Sequence, residues 1–159
     1  MTEIRLPVSA FVRGKGNSKI RRGGFGPIKI GPVVIDYGKV IGPGHLEMRY
    51  DVIPLVPGDE DRYYSYNGRR HKIYGAKFLE NIIQFLARII LMNAALRLAD
   101  RGYPFVAQAH DELTFIVLDS DVENAKVIIH EEMTRRPSWA LDLPLTVAVG
   151  VGQSYGDAK

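Results

Sequence analysis

The decisive stretch of this sequence is Phe105-Val106-Ala107-Gln108-Ala109-His110-Asp111-Glu112-Leu113-Thr114-Phe115, in which two carboxylates separate two apolar runs. Strand-forming residues extend from Phe105 to Ala109 and from Leu113 to Leu118, and His110-Asp111-Glu112 fills the connection. Two such runs joined by so few polar residues predict a β-hairpin with the carboxylates at its tip. A hairpin tip holds its oxygens rigidly and exposes them, which suits a hard divalent cation such as magnesium. His110 would be placed to donate to a phosphate or to orient a carboxylate.

The elements around this hairpin are also predictable. Apolar residues recur at helical spacing from Ala76 to about Ala99, and Arg101-Gly102-Tyr103-Pro104 ends that helix. A second helix is predicted from Val122 to about Arg135, with Asp119 or Ser120 as its cap. Alternating apolar residues predict a last strand over Leu143 to Val151. The predicted order is helix, hairpin, helix, strand.

The first part of the chain has a different character. Gly and Pro interrupt it in loop-like stretches such as Arg13 to Asn17 and Arg22 to Pro27, and Pro57 to Asp61 predicts a turn. Short β-like runs lie between them, at Ile28 to Ile30, Val33 to Ile35 and Leu46 to Ile53, and Tyr63 to Tyr66 before Asn67-Gly68 resembles one arm of a hairpin. We therefore predict an α+β protein with two parts: an irregular basic β/loop region at 1–72 and a subdomain at 73–159.

Length and composition limit the classes of function. The chain has 159 residues, is 46% hydrophobic and contains no cysteine, so it has enough apolar material for a core but neither disulfides nor thiol chemistry. The absence of cysteine fits a reducing, cytoplasmic setting. We expect no secretory signal, and no membrane span, because Gln84, Arg88, Asn93 and Arg97 interrupt the longest apolar segment.

Charge is distributed unevenly. Residues 1–35 contain seven Lys or Arg and one acid, a local net charge of +6; since the whole chain carries +3, the rest carries −3. A basic segment before a near-neutral body suggests a polyanionic partner, although a basic arm that only aids solubility has the same composition.

One face of the long helix could contact DNA. Asn81, Gln84 and Arg88 lie three and four residues apart, and Lys77 lies one turn earlier on the same side. Amides and cations on one stripe can bind minor-groove acceptors and phosphates. The solvated face of an ordinary amphipathic helix has the same pattern.

Taken together, these residues resemble the C-terminal palm of the A-family DNA polymerases, the family of bacterial repair polymerases and many phage enzymes. Gln108-Ala109-His110-Asp111-Glu112-Leu113 resembles the third polymerase motif of the family. The stretch from Tyr74 to Arg88 resembles the long helix before that motif in its phage-type form, Leu143 to Gly150 the strand after it, and Gln153 to Ala158 the C-terminal tail. The resemblance covers residues 74–158 in order and spacing.

The resemblance implies a role for each residue in primer-directed nucleotidyl transfer. Asp111 would be the metal-binding catalytic aspartate and Glu112 an auxiliary carboxylate, with two Mg²⁺ or Mn²⁺ ions as cofactors. His110 would contact the primer-terminal phosphate. Gln84 and Asn81 would touch the minor groove of primer-template DNA, and Arg88 and Lys77 are assigned to DNA by their position alone.

The family also needs parts that these residues do not supply. Its second aspartate, from a motif of the Asp-Tyr-Ser-Gln-Ile-Glu type, and its fingers helix, which grips the incoming dNTP, have no counterpart here. Val34 to Gly38 echoes the first motif only superficially, and Asp36 is predicted to be a turn residue. We therefore expect a half-supplied two-ion site, inactive without a second polypeptide that carries the missing parts.

Two other functions stay open at this point. The chain could be a catalytically inactive module that binds primer-template DNA through the basic segment and the helix face. It could instead be an unrelated metal hydrolase that uses the hairpin tip with His45, His71 or His130, although no two of its histidines have a zinc-type spacing. The run Arg69-Arg70-His71-Lys72 is better explained as a phosphate-facing basic cluster.

Overall fold

The computed structural model describes residues 27–53 and 61–158, and it has the predicted α+β composition. The basic segment before residue 27 and most of the predicted turn at 57–61 lie outside the described residues. The described chain forms two compact units, within Met1–Leu86 and Ala87–Lys159, and the residues of the long helix are divided between them. The predicted boundary between residues 72 and 73 stays a prediction.

The first unit contains two antiparallel sheets. Four short strands pair in chain order: β1 (Ile28–Ile30), β2 (Val33–Asp36), β3 (Lys39–Ile41) and β4 (Glu47–Arg49), with a 3₁₀ turn at Pro43–His45 before β4. A second sheet has the order β5 (Asp51–Ile53), β6 (Arg62–Tyr66), β7 (Arg69–Ile73). In both sheets each strand therefore pairs with a strand next to it in the sequence.

Tight turns explain this regularity. Asn67 and Gly68 both have positive φ, as a type I′ turn requires, and they join β6 to β7 as their sequence predicts. Asp36 ends β2, and its carboxylate accepts a hydrogen bond from the Tyr37 amide at 2.7 Å, which agrees with its predicted place at a turn. The predicted strand from Leu46 to Ile53 is two strands in two sheets, with Tyr50 between them. The Tyr50 amide donates to the Gly38 carbonyl at 2.7 Å, in register with the β3–β4 pairing.

A shared core holds the first unit together. It combines side chains of both sheets with the beginning of the long helix, and its buried members are Val33, Ile35, Val40, Tyr50, Ile73, Phe78 and Ile82. The alternation in β2 and β3 places Val33, Ile35 and Val40 on the inner face. Tyr64 packs its ring edge-on against Tyr50, with centroids 5.1 Å apart, and so fixes β6 to this core.

Helix α1 (Gly75–Asp100) is the longest element, and it ends where predicted. Gly102 has a φ of 90°, its amide donates to the Ala99 carbonyl, and the Tyr103 amide donates to Leu98. These two bonds make a Schellman cap, which favours glycine at the left-handed position. By length and composition alone α1 could cross a membrane, a criterion that core helices of soluble proteins also meet. Several of its side chains, such as Ile82 and Leu98, are buried in the described core clusters.

The second unit consists of the end of α1, a hairpin, a helix and an extended C-terminal segment. Strands β8 (Phe105–Ala109) and β9 (Glu112–Phe115) form the predicted hairpin, and helix α2 (Val122–Thr134) follows a 3₁₀ turn at Asp119–Asp121. Leu98, Ala125 and Ile129 are the buried centre, and Phe115, Val117 and Val149 pack against them. Because Phe115 is the last residue of β9, its contact with this cluster anchors the hairpin to the two helices.

Three details of the second unit differ from prediction. Strand β9 begins at Glu112 and ends at Phe115, not at Leu118. The residue before α2 is Asp121, and no side-chain hydrogen bond caps the helix there, so neither Asp119 nor Ser120 acts as predicted. Residues 143–151 do not form the predicted strand, although the side chains at 143–149 alternate between half-buried and exposed. The alternation is set by packing on the core, whereas a strand also needs a hydrogen-bonded partner.

A buried acid ties α2 to the end of α1. Glu132 is only 2% exposed, and its carboxylate accepts hydrogen bonds from Arg97 at 2.7 Å, Arg101 at 2.9 Å and Arg135 at 2.8 Å. Burial alone would raise the pKa of Glu132, but the bonds from Arg97 and Arg101 outweigh it and hold the pKa below its ordinary value.

The network should make stability depend on pH on the acid side. Because the pKa of Glu132 is lower in the folded state, its contribution is complete above the unfolded pKa and is lost as pH falls through the folded one. We expect Glu132→Gln to lower the free energy of unfolding at pH 7, and we expect this loss to shrink as the pH falls through the lowered pKa of Glu132. Urea unfolding of both proteins over a series of pH values from 7 downwards measures this. A loss that does not change with pH would mean that the charge of Glu132 does not stabilise the fold.

Candidate functional site

The tip of the β8–β9 hairpin is a two-residue loop, His110-Asp111. Ala109 pairs with Glu112 across it, and Gln108 pairs with Leu113. His110 has a φ of 51°, the left-handed region in which His is enriched among residues other than glycine. The Gln108 amide donates to the His110 carbonyl at 3.2 Å and so braces this conformation.

All three predicted catalytic residues lie together at this tip and are exposed. Asp111 occupies the loop, and Glu112 is the first residue of β9 rather than a loop residue. The hairpin positions them through packing below the tip, where Phe115 contacts the core and Leu113 is half-buried. The tip therefore exposes two adjacent carboxylates and an imidazole to solvent, on a backbone that packing below the tip holds in place.

Tyr155 reaches the tip from the C-terminal segment. Its hydroxyl donates to Glu112 Oε2 at 2.8 Å across 43 residues of sequence. The chain folds back before Tyr155, and the backbone at Gly150 and Gly152 runs so close to Asp157 and Ala158 that a Cβ at either glycine would collide. Sequence reasoning assigned 153–158 only to a tail and missed this contact, because no local pattern signals a bond between such distant residues.

The tip fits a divalent cation only as part of a larger ligand set. Asp111 and Glu112 offer exposed carboxylate oxygens, the ligand type that Mg²⁺ prefers, and Mg²⁺ commonly binds one or two carboxylates together with substrate phosphates and water. Within residues 27–53 and 61–158, no group of three His, Asp or Glu side chains is placed to hold a metal. The hydrolase alternative with His45, His71 or His130 therefore gains no support.

Comparisons with known proteins point to one group of enzymes. The chain is 36% identical over 74 residues to the thermostable DNA polymerase I of Thermus filiformis, a match covering 46% of this chain and 9% of the relative. It is 38% identical over 82 residues to the DNA polymerase of Bacillus phage SP02, covering 48% and 12%. It is 34% identical over 70 residues to DNA polymerase I of Mycobacterium leprae, covering 44% and 8%.

These similarities support a partial A-family DNA polymerase region in this chain. The chain spans about a tenth of the length of the curated polymerases that it matches. No protein-family model matches it, and no solved structure matches it.

The helix face predicted to contact primer-template DNA has partners within the first unit. Asn81 is half-buried, and its amide donates to the Tyr50 hydroxyl at 2.9 Å. Lys77 and Gln84 both donate to Glu80, at 3.1 and 3.2 Å. The negative charge of Glu80 therefore offsets the positive charge of Lys77 on this helix face. Such pairs are common on the solvated face of an ordinary helix. Arg88 is exposed and belongs to the second unit. The DNA contacts of these residues stay a prediction.

Proposed function

We propose that this chain is the C-terminal palm part of a DNA-directed DNA polymerase that adds nucleotides to a primer 3′ end. The observation that carries the proposal is the two-residue hairpin loop that holds Asp111, with Glu112 directly after it. The three polymerases related to part of the chain support it. Since such enzymes act on nucleic acid inside cells, we place the protein in the cytoplasm, a host cytoplasm if a phage encodes it.

In this proposal Asp111 is the metal-binding carboxylate, and its place in the loop leaves its oxygens accessible to an ion and to nucleotide phosphates. Two Mg²⁺ or Mn²⁺ ions, when bound, would neutralise the charge that develops on the attacking and leaving oxygens. Glu112 is held by Tyr155 and is an auxiliary carboxylate beside the primer end. His110 is exposed in the left-handed loop position and contacts the primer-terminal phosphate.

One carboxylate pair supplies only half of a two-ion site. We therefore propose that the second aspartate and the dNTP-gripping fingers come from another polypeptide, and that the 159-residue chain does not extend a primer by itself. In that assembly primer-template DNA lies against Gln84, Asn81, Arg88 and Lys77, and the salt bridge of Lys77 to Glu80 opens when a phosphate replaces the acid.

A graft into a complete polymerase tests this proposal and does not require the partner polypeptide. Residues 74–158 of this chain replace their counterpart in the phage SP02 polymerase, which is similar to part of the chain, and primer extension is measured with Mg²⁺ and with EDTA. We expect metal-dependent extension. A folded graft that binds primer-template but does not extend it would leave only the alternative, a catalytically inactive DNA-binding module.

Tyr155 gives a finer prediction for the same graft. Tyr155→Phe removes the hydroxyl that holds Glu112, so extension should slow about fivefold, the rate equivalent of a hydrogen bond worth about 1 kcal/mol. In a Glu112→Gln background the same change should have little further effect. A double-mutant cycle on kcat measures this coupling; additive losses would mean that Tyr155 acts independently of Glu112.

A further inference from the structure

Residues 143–151, which we call the unpaired segment, have the side-chain pattern of a strand but not its hydrogen bonds. Alternate residues along the segment are half-buried, namely Leu143, Leu145, Val147 and Val149, and the residues between them are exposed. Within the part of the chain that the structure describes, no backbone–backbone hydrogen bond involves residues 144–153. Main-chain N–H and C=O groups are strong donors and acceptors. An extended chain that leaves them unpaired along its edge can therefore accept a second strand.

A groove lies beside this segment. Its walls are the segment and one face of α2, and its lining residues are Val147, Val149, Glu123, Lys126, Val127 and His130. The groove has a volume of about 360 Å³, and Val127 is 69% exposed. Lys126 donates to Glu123 at 3.1 Å, so these two charges already offset each other. The groove therefore offers apolar side chains to a strand that lies beside the unpaired segment.

The sequence of the unpaired segment favours a second copy of itself as that strand. No charged residue occurs from Leu143 to Tyr155, and β-branched residues occupy four of positions 146–151. Proteins commonly protect an exposed edge with lysine, proline or a bulge, and in this segment only Pro144, near its start, is of that kind. In a symmetric antiparallel pair, like charges would lie near each other and repel. An uncharged segment has no such repulsion.

We propose that two copies of this chain associate by antiparallel pairing of their unpaired segments, with a twofold axis perpendicular to the sheet that they form. Such an axis keeps the half-buried side chains of both segments on the same face of that sheet. The leucine and valine side chains of one copy then enter the groove of the other and cover Val127. The contact is smaller than a standard interface of about 1,600 Å², so we expect a weak dimer with a Kd of about 10–100 µM. The inference does not rest on the proposed polymerase function, because Asp111 belongs neither to the segment nor to the groove.

The test is sedimentation velocity of the full chain over a concentration range of about 1–200 µM, which brackets the expected Kd. Two double variants place charge at exposed positions of the segment: Thr146→Lys with Ala148→Lys, and Thr146→Glu with Ala148→Glu. The matched control is Ser120→Lys with Ser138→Lys, which adds the same positive charge at exposed positions elsewhere in the second unit. Val127→Ala tests the groove. Circular dichroism confirms that each variant folds.

We expect the parent chain to be a monomer at about 1 µM and mostly a dimer at about 200 µM. Each charged segment variant should raise the Kd at least about tenfold, because like charges then lie opposite each other in the pair. An equimolar mixture of the lysine and glutamate variants should form dimers again, since opposite charges then meet. Val127→Ala should weaken association several-fold, because it removes apolar surface that the second copy buries. The control variant should associate as the parent does.

Other results overturn the inference. A parent chain that stays monomeric over the whole range does not pair with a copy of itself. If the charged segment variants associate as well as the parent, or if their mixture does not associate, the contact does not lie at residues 146–148. Unchanged association of Val127→Ala would mean that the groove stays uncovered, and species larger than a dimer would refute a closed twofold pair. Asp111→Ala should dimerise like the parent, so a failed dimer and an inactive polymerase graft refute the two proposals separately.

Discussion

Replacing Asp111 with alanine should reduce primer extension by the polymerase graft to background, while the free energy of unfolding changes by less than about 0.5 kcal/mol. The side chain is exposed in a two-residue loop and belongs to neither described core cluster. Its loss therefore removes charge and ligand oxygens from the proposed metal site without leaving a cavity. Extension rates with saturating dNTP and Mg²⁺, together with urea unfolding, measure the two effects.

Asp142→Ala is the matched control, because Asp142 is an exposed turn residue of the same unit and has no proposed role. That variant should extend primers as well as the parent. If Asp111→Ala retains activity, the hairpin tip is not the metal site. If it instead lowers the free energy of unfolding by several kcal/mol, Asp111 is a structural residue of the turn.

Leu98→Ala should give the largest loss of stability among single apolar truncations in the second unit, about 2–5 kcal/mol. Leu98 is 0% exposed and lies at the centre of the cluster with Ala125 and Ile129. The truncation leaves a cavity between the end of α1 and helix α2, and we do not expect the two helices to move together and fill it. Chemical denaturation monitored by circular dichroism gives the difference directly.

Leu96→Ala is the control for that experiment. It removes the same atoms from the same helix, but Leu96 is 62% exposed, so the free energy of unfolding should change by less than about 0.5 kcal/mol. Similar losses for both variants would mean that helix propensity, rather than burial, sets the cost. A small loss for Leu98→Ala alone would mean that the core around it repacks.

The sequence predicted those features that depend on neighbouring residues. The Schellman cap at Gly102 follows from a glycine just after an apolar helical repeat. The β6–β7 turn follows from Asn67-Gly68, and the β8–β9 hairpin from two apolar runs around His110 and Asp111. Turn and cap chemistry act over a few consecutive residues, so local patterns were sufficient. The polymerase resemblance, which the relatives bear out for part of the chain, also rested on such local motifs.

Features that depend on distant residues were missed or wrong. The strand predicted from Leu46 to Ile53 is divided between two sheets, and the segment at 143–151 alternates in burial but lacks a strand partner. The Glu112–Tyr155 bond joins residues 43 apart.

The sequence by itself thus determined the order helix, hairpin, helix and the exposed carboxylates at the hairpin tip, since each follows from propensities within a few residues. Only the tertiary structure decided which polar groups meet: Asn81 with Tyr50, Glu132 with three arginines, and Glu112 with Tyr155. The physical reason is that hydrogen bonds and ion pairs act over about 3 Å. Whether two distant side chains come that close depends on how the cores pack, and no short stretch of sequence encodes that.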